Sequence, residues 1–189
     1  MHFDLQKIIG EAKHGNPKAF RQLVEHYQQP AFSFAFRMLA SEEDARDVVQ
    51  ESFINIWRKI NTYDINKNFK SWMYRIVYNK SIDALRSIKR RDEISLDDKL
   101  YKLIDKASQE EDTRLENKEA EELIRMMTMD LPEKQKLIFT LRDLQDLNVE
   151  ETIEISGMKE EVIKSNLYHA RKAIREKMQT IMNYQMEEK

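Results

Sequence analysis

The chain has 189 residues, 35% of them charged and 41% hydrophobic, with a net charge of −2. It has no cysteine, three glycines and three prolines, which excludes disulfide frameworks, thiolate metal sites and cysteine nucleophiles. The same composition argues against sandwiches, barrels and glycine-rich phosphate loops, and the length allows one medium domain or two small ones.

In chain order, Asp4 can cap a short helix ending near Gly15. Met1 to Gly10 lacks the cationic start and apolar core of a secretory signal. Asn16 caps the next helix, with Pro17 at its first position and a buried face of Phe20, Leu23, Val24 and Tyr27. Pro30 is expected to restart a helix that carries Phe32, Ala35, Phe36 and Leu39. Ser41 with Asp44 resembles a capping box. The helix it opens has a core stripe of Ala45, Val49, Phe53, Ile56 and Ile60. Opposite that stripe, Asp44, Asp47, Gln50 and Glu51 share a face with Ile54 and Trp57, which suits a basic protein partner. A solvated acidic face is the other reading of the same residues.

After the polar break "NTYDINKN" comes a helix from Phe69 to Arg91. From Lys67 to Arg91 eight basic residues stand against one acid, Asp83, so this segment is strongly cationic inside a slightly acidic chain. Phe69, Met73, Ile76, Val77 and Ala84 fall on one side and read as core. Tyr74, Tyr78 and Leu85 form a strip that can pack on another helix, and Trp72 lies on the border. Arg75, Asn79, Asp83, Arg86 and Arg90 make a donor-rich stripe about a third of a turn away. Clustered Arg and Lys point to nucleic-acid phosphates; the other reading, a solvated helix, usually interleaves Glu and Asp with the cations, and here there is one acid. Residues 1–92 therefore read as one all-helical domain.

Residues 93–118 lack sustained periodicity and read as a charged linker, or else an ordinary surface helix. Residues 119–189 read as a second helical domain. Pro132 opens a helix with Leu137, Ile138 and Leu141; Asn148 with Glu151 caps a short helix that stops at Gly157; a last helix runs from about Glu160 to Met182. Short helix, glycine turn and longer basic helix outline a helix-turn-helix. The last helix is expected to bury Ile163, Leu167, Ala170, Ile174 and Met178. Lys164, Tyr168, Arg171 and Arg175 share the adjacent face, flanked by Ser165 and Lys172, a pattern open to a major-groove reader or to a solvated basic helix. The fold class is thus all-α, two small helical domains joined by a charged linker.

No enzyme signal stands out. His2, His14, His26 and His169 are scattered without metal-ligand spacing, and nucleophile elbows, zincin patterns and phosphate loops are missing, so no metal, cofactor or small-molecule substrate is expected. No run approaches the ~18–20 apolar residues of a membrane span, so a cytoplasmic location without membrane insertion is expected.

"DARDVVQESFINIWRKI" followed by "FKSWMYRIVYNKSIDALRSIKRR" resembles the core-binding and promoter-melting regions of extracytoplasmic-function sigma factors of bacterial RNA polymerase. "LPEKQKLIFTLRDLQDLNVEETIEISGMKEEVIKSNLYHARKAIREKM" resembles their second domain, with "IKSNLYHAR" similar to the helix that reads the upstream promoter element. The resemblance implies a protein that binds core RNA polymerase and promoter DNA and is held by an anti-sigma factor. It implies that Asp44, Asp47, Gln50 and Glu51 contact the polymerase and that Arg75, Asn79, Asp83 and Arg86 face the −10 element. It implies too that the loop before the cationic helix captures an unstacked base, with Tyr63, Asn66, Asn68 and Phe69 as the residues able to do so. Phe69 has a second reading as core. The upstream duplex falls to Lys164, Ser165, Tyr168, Arg171, Lys172 and Arg175.

Three positions depart from the family pattern and bear on upstream sequence preference: Lys159 where a small polar cap is usual, Asn166 for an Arg, and Thr152-Ile153 for Ile-Ala. Glu160 and Glu161 suit the helix dipole but repel phosphates, so contact is expected to begin at Lys164. A linker of about 26 residues reaches ~85–95 Å when extended, enough for two duplex elements ~70 Å apart. Two rival readings are a sigma-like decoy that sequesters an anti-sigma factor and a helix-turn-helix repressor working without polymerase. The cationic helix weighs against the first and the acidic face against the second.

Overall fold

A computed structural model describes residues 4–94 and 126–187, and every regular element among them is helical. Most of the linker expected at 93–118, and the start of the second domain at 119, lie outside the described residues.

Helix α1 (Leu5–Lys13) starts where the Asp4 carboxylate accepts from the Lys7 amide at 3.2 Å. It ends at Lys13 with His14 as its cap, and the chain turns at Gly15, whose φ of 81° is a backbone state that glycine adopts without strain. Helix α2 (Pro17–Leu39) begins with Asn16 Oδ1 accepting from the Lys18 amide at 3.0 Å. The break expected at Pro30 is corrected: α2 runs through it. An interior proline costs about 3 kcal/mol or more. Here both halves share one buried face, Leu23 and Tyr27 before the proline and Ala31, Phe34, Ala35 and Met38 after it. Burying an aromatic or large aliphatic side chain contributes about 1.5–3 kcal/mol, so a few such residues outweigh the proline.

Ser41 Oγ accepts from the Asp44 amide at 3.3 Å to open α3 (Glu42–Lys59), which has three acids in its first turn and two cations in its last, as the helix dipole favours. The expected stripe is buried at Ala45, Phe53, Ile56 and Ile60 and half-buried at Val49; Val48 and Ser52 complete it. A short 3₁₀ turn (Ile60–Thr62) and a loop lead to α4 (Phe69–Ile94). Asn68 caps this helix, its Oδ1 accepting from the Ser71 amide at 3.1 Å. On α4, Phe69, Met73 and Val77 are buried as expected, whereas Ile76 and Ala84 are half-buried.

In the second unit, α5 (Glu133–Phe139) passes into a π-turn (Thr140–Leu144). Helix α6 (Val149–Ser156) carries a complete capping box between Asn148 and Glu151 and stops at Gly157, where φ is 68°. Helix α7 (Glu160–Glu187) follows. Leu137, Ile138, Leu141, Leu147, Ile163 and Ala170 form the centre of this unit. Met178, expected in the core, is exposed at 46%, because at this turn of α7 it is the neighbouring Lys177 that meets the chain before α5, donating to the Met126 carbonyl and Asp130 Oδ2. Leu137, Leu141, Leu147 and Ile155 also join the core built by α1 to α4, so α6 packs along α4.

Candidate nucleic-acid and protein interfaces

Charge is segregated by helix face. On α3, Asp47, Gln50 and Glu51 are exposed and Asp44 is half-buried at the cap. Ile54 and Trp57 lie exposed beside them at 43% and 38%, and Trp57 rests on Phe20 with ring centroids 4.8 Å apart. Glu51 also accepts from Lys80 Nζ at 2.6 Å, a bond between α3 and α4. The surface thus combines carboxylates with two large apolar side chains that have partial cover.

The loop before α4 is ordered by its own side chains. Asp64 Oδ1 accepts from both the Asn66 amide (3.0 Å) and Asn66 Nδ2 (3.2 Å), an Asx turn. Asn66 and Asn68 are exposed, but Tyr63 and Phe69 are not, each at 3%. Their rings meet edge to face at 5.4 Å, and Trp72 lies 4.9 Å from Tyr63. Of the two readings of Phe69, the structure favours core: Tyr63, Phe69 and Trp72 pack ring against ring at the base of the loop. Burial pushes the Tyr63 hydroxyl up to about 12, with the charges of Glu154 and then Asp64 adding to the shift. That hydroxyl donates to the Lys67 carbonyl, and Lys13 Nζ donates to the Tyr63 carbonyl.

The α4 stripe emerges as a continuous exposed row of Arg75, Asn79, Asp83, Arg86 and Arg90. Asp83 and Arg86 are 3.7 Å apart and both well exposed, which leaves Arg86 largely free to exchange Asp83 for a phosphate. The strip of Tyr74, Tyr78 and Leu85 does pack on another helix. Tyr74 is fully buried against Phe34, and its hydroxyl donates to Gln145 Oε1 at 2.6 Å. Tyr78 and Leu85 are half-buried beside the same core.

On α7, Lys164, Ser165, Tyr168, Arg171, Lys172 and Arg175 are all exposed, Tyr168 most prominently at 65%. Lys164 pairs with Glu160 at 2.6 Å, and Lys172 lies 3.9 Å from Glu176. Arg171 is bound on both oxygens of Asp143, Nε at 2.8 Å and Nη2 at 2.6 Å, and this bond raises its already high pKa. Asp143 sits on the π-turn, so the pair braces α7 against α5; face periodicity within α7 carries no trace of this partner. His169, exposed beside the Tyr168 ring at 5.4 Å, belongs with the DNA-facing candidates. Its position between Ser165 and Lys172, at i+4 and i−3, is the signal that marks it. No group of His, Asp and Glu able to hold a metal occurs among the described residues.

Residues 23–91 match the family Sigma-70 region 2, and residues 121–174 match Sigma-70, region 4. The order of these two regions defines a transcription factor of the sigma-70 class. A relative from Haemophilus influenzae (strain ATCC 51907 / DSM 11121 / KW20 / Rd), ECF RNA polymerase sigma-E factor, is 31% identical over 94% of this chain and 96% of its own length. The ECF RNA polymerase sigma factor SigW of Bacillus subtilis (strain 168) is 26% identical over 96% of this chain and all of its own. The chain belongs to the extracytoplasmic-function (ECF) family of RNA polymerase sigma factors. The fold is also similar to that of CnrH, solved with the cytosolic domain of CnrY, at a TM-score of 0.69, 20% identity and coverage of 93% and 97%. The sigma factor RpoE of Bartonella quintana, solved with the anti-sigma factor NepR, gives 0.67, 20% identity and coverage of 86% and 98%. As a family member the chain acts in promoter recognition and transcription initiation with RNA polymerase.

Proposed function

We propose that the work is divided by surface. Asp44, Asp47, Gln50 and Glu51, with Ile54 and Trp57, bind core RNA polymerase. Arg75, Asn79, Asp83, Arg86 and Arg90 lie along the −10 element, and Asn66 and Asn68 read a base that leaves the stack. Tyr63 and Phe69 support that loop at its base. Ser165, Tyr168, His169 and Lys172 face the upstream duplex, with Lys164, Arg171 and Arg175 on its flank.

The observation that carries this reading is the separation of sign by helix. The acidic α3 face and the cationic α4 stripe are both exposed, and both lie apart from the core that joins the helices. Residues 1–92 would form the −10 unit, 93–118 the linker and 119–189 the −35 unit. The role is binding rather than chemistry, in the cytoplasm, where an anti-sigma factor holds the protein until it is needed. Among the described residues no helix is long and apolar enough to cross a membrane.

Run-off transcription by core polymerase on a promoter library tests the assignment. The wild type should start at promoters sharing two spaced elements. Arg75→Ala/Arg86→Ala should lose opening, and Asp47→Lys should lose core binding. Transcription unaffected by all three changes would overturn it.

A further inference from the structure

The base-reading loop is already occupied, and by the chain itself. Asn68 Nδ2 donates to Glu151 Oε1 at 2.8 Å, across 83 residues of sequence. Glu154, one turn further along α6, is near enough to Tyr63 for its charge to act on the hydroxyl. Beneath these contacts Leu147 and Ile155 are buried in the core shared with α4, and Tyr74 bonds Gln145 at 2.6 Å. A carboxylate oxygen on an asparagine amide offers the acceptor that a base edge would offer. A second acid beside the loop adds the negative charge that a strand would bring.

We infer that α6 is an internal stand-in for the −10 strand: Glu151 and Glu154 hold the loop in a closed, DNA-excluding state that must open before the loop can take a base. The inference rests on the proposed role of Asn68. A geometric conflict supports it. Promoter elements two helical turns apart are separated by about 70 Å. Asn68 cannot stay bonded to α6, three residues before α7, while α7 sits on the upstream element. Opening therefore exposes the loop and frees α7 in one movement. The apparent affinity for DNA is the intrinsic one multiplied by the fraction of molecules that are open.

The absence of cysteine makes the test direct. Spin labels at Arg21→Cys and Gln179→Cys report the separation of the two units in the full chain. Glu151→Gln/Glu154→Gln removes both charges, and Gln at 151 keeps an acceptor for the α6 cap. Glu25→Gln/Glu43→Gln removes two charges elsewhere and serves as the control. Binding is read by anisotropy with a fluorescent pool of single-stranded DNA of mixed sequence.

The α6 variant should shift the label distances outward and bind the DNA about tenfold more tightly, the factor that corresponds to releasing one charge-assisted hydrogen bond. The control should do neither. Unmoved distances and affinity, or distances that open without a gain in affinity, overturn the inference but leave the loop's role standing. If the opened form binds single-stranded DNA no better when Asn66 and Asn68 are intact than when both are Ala, the reading of the loop falls, and the inference with it. Gln145→Ala, which leaves both glutamates in place and removes the bond to Tyr74, should open the units in the same direction; a distribution identical to the parent's counts against closure.

Discussion

Glu51 holds Lys80 across the α3–α4 crossing, and Arg171 holds Asp143 on the π-turn. Substituting either residue therefore has two effects. Charge reversal at Asp47 should weaken core binding and leave the fold alone, whereas reversal at Glu51 should also set Lys80 adrift, visible as a lower urea midpoint. Lys164→Ala should reduce the slope of log affinity against log salt for upstream duplex DNA by roughly 0.9, one phosphate, at unchanged stability. Arg171→Ala should lower the thermal midpoint too, by the equivalent of about 1 kcal/mol, since the pair is bidentate yet half open to solvent. Equal melting curves for the two alanine variants would contradict the brace. Asn68 has a similar double duty. Its Ala variant loses the α4 cap, about 1 kcal/mol, besides any change in base preference.

At the scale of the helices, the proposed roles separate stability from function by face on α4. Met73→Ala, at a fully buried position, should cost about 2–5 kcal/mol. Ile76→Ala should fall at or below the low end of that range, because Ile76 is only half-buried. Arg75→Ala and Arg86→Ala should melt like wild type and fail in promoter opening, followed with a fluorescent base analogue in the non-template strand. Face periodicity made the buried side of α4 at Phe69, Met73 and Val77 and the exposed stripe from Arg75 to Arg90 legible in the sequence, but not the half-burial of Ile76 and Ala84; the caps at Asp4, Asn16, Ser41 and Asn148 were legible too, since a cap is a local pattern. Pro30 misleads for the opposite reason. Its local signal is a break, and only tertiary burial on both sides of it carries the helix through. Met178 shows the same limit: an apolar residue in phase with the core stays exposed where its neighbour Lys177 makes the contact with the chain before α5. Asp143 and Glu151 were out of reach because their partners lie 28 and 83 residues away.

For the whole molecule, the buried tyrosines make stability fall in alkali. The Tyr63 pKa rises from 10 in the unfolded chain to about 12 in the fold. Above pH 10 the unfolded chain loses a proton that the folded chain keeps. The contribution is therefore complete below pH 10 and declines as pH climbs toward 12. Urea midpoints measured in steps from pH 9 to pH 11.5 should drop less steeply for Tyr63→Phe than for wild type; parallel lines would show that burial does not govern this hydroxyl.

Glu151 serves two masters with two oxygens. Oε2 accepts from the Asn148 amide and closes the first turn of α6, while Oε1 accepts from Asn68. Start of helix and closure of the units thus share one carboxylate, which is rigid only when both bonds are made. The backbone amides at the beginning of α6 should then exchange with deuterium slowly in the closed protein and faster in a Gln145→Ala variant whose units have separated. Their exchange rate becomes a clock for how long the protein stays shut.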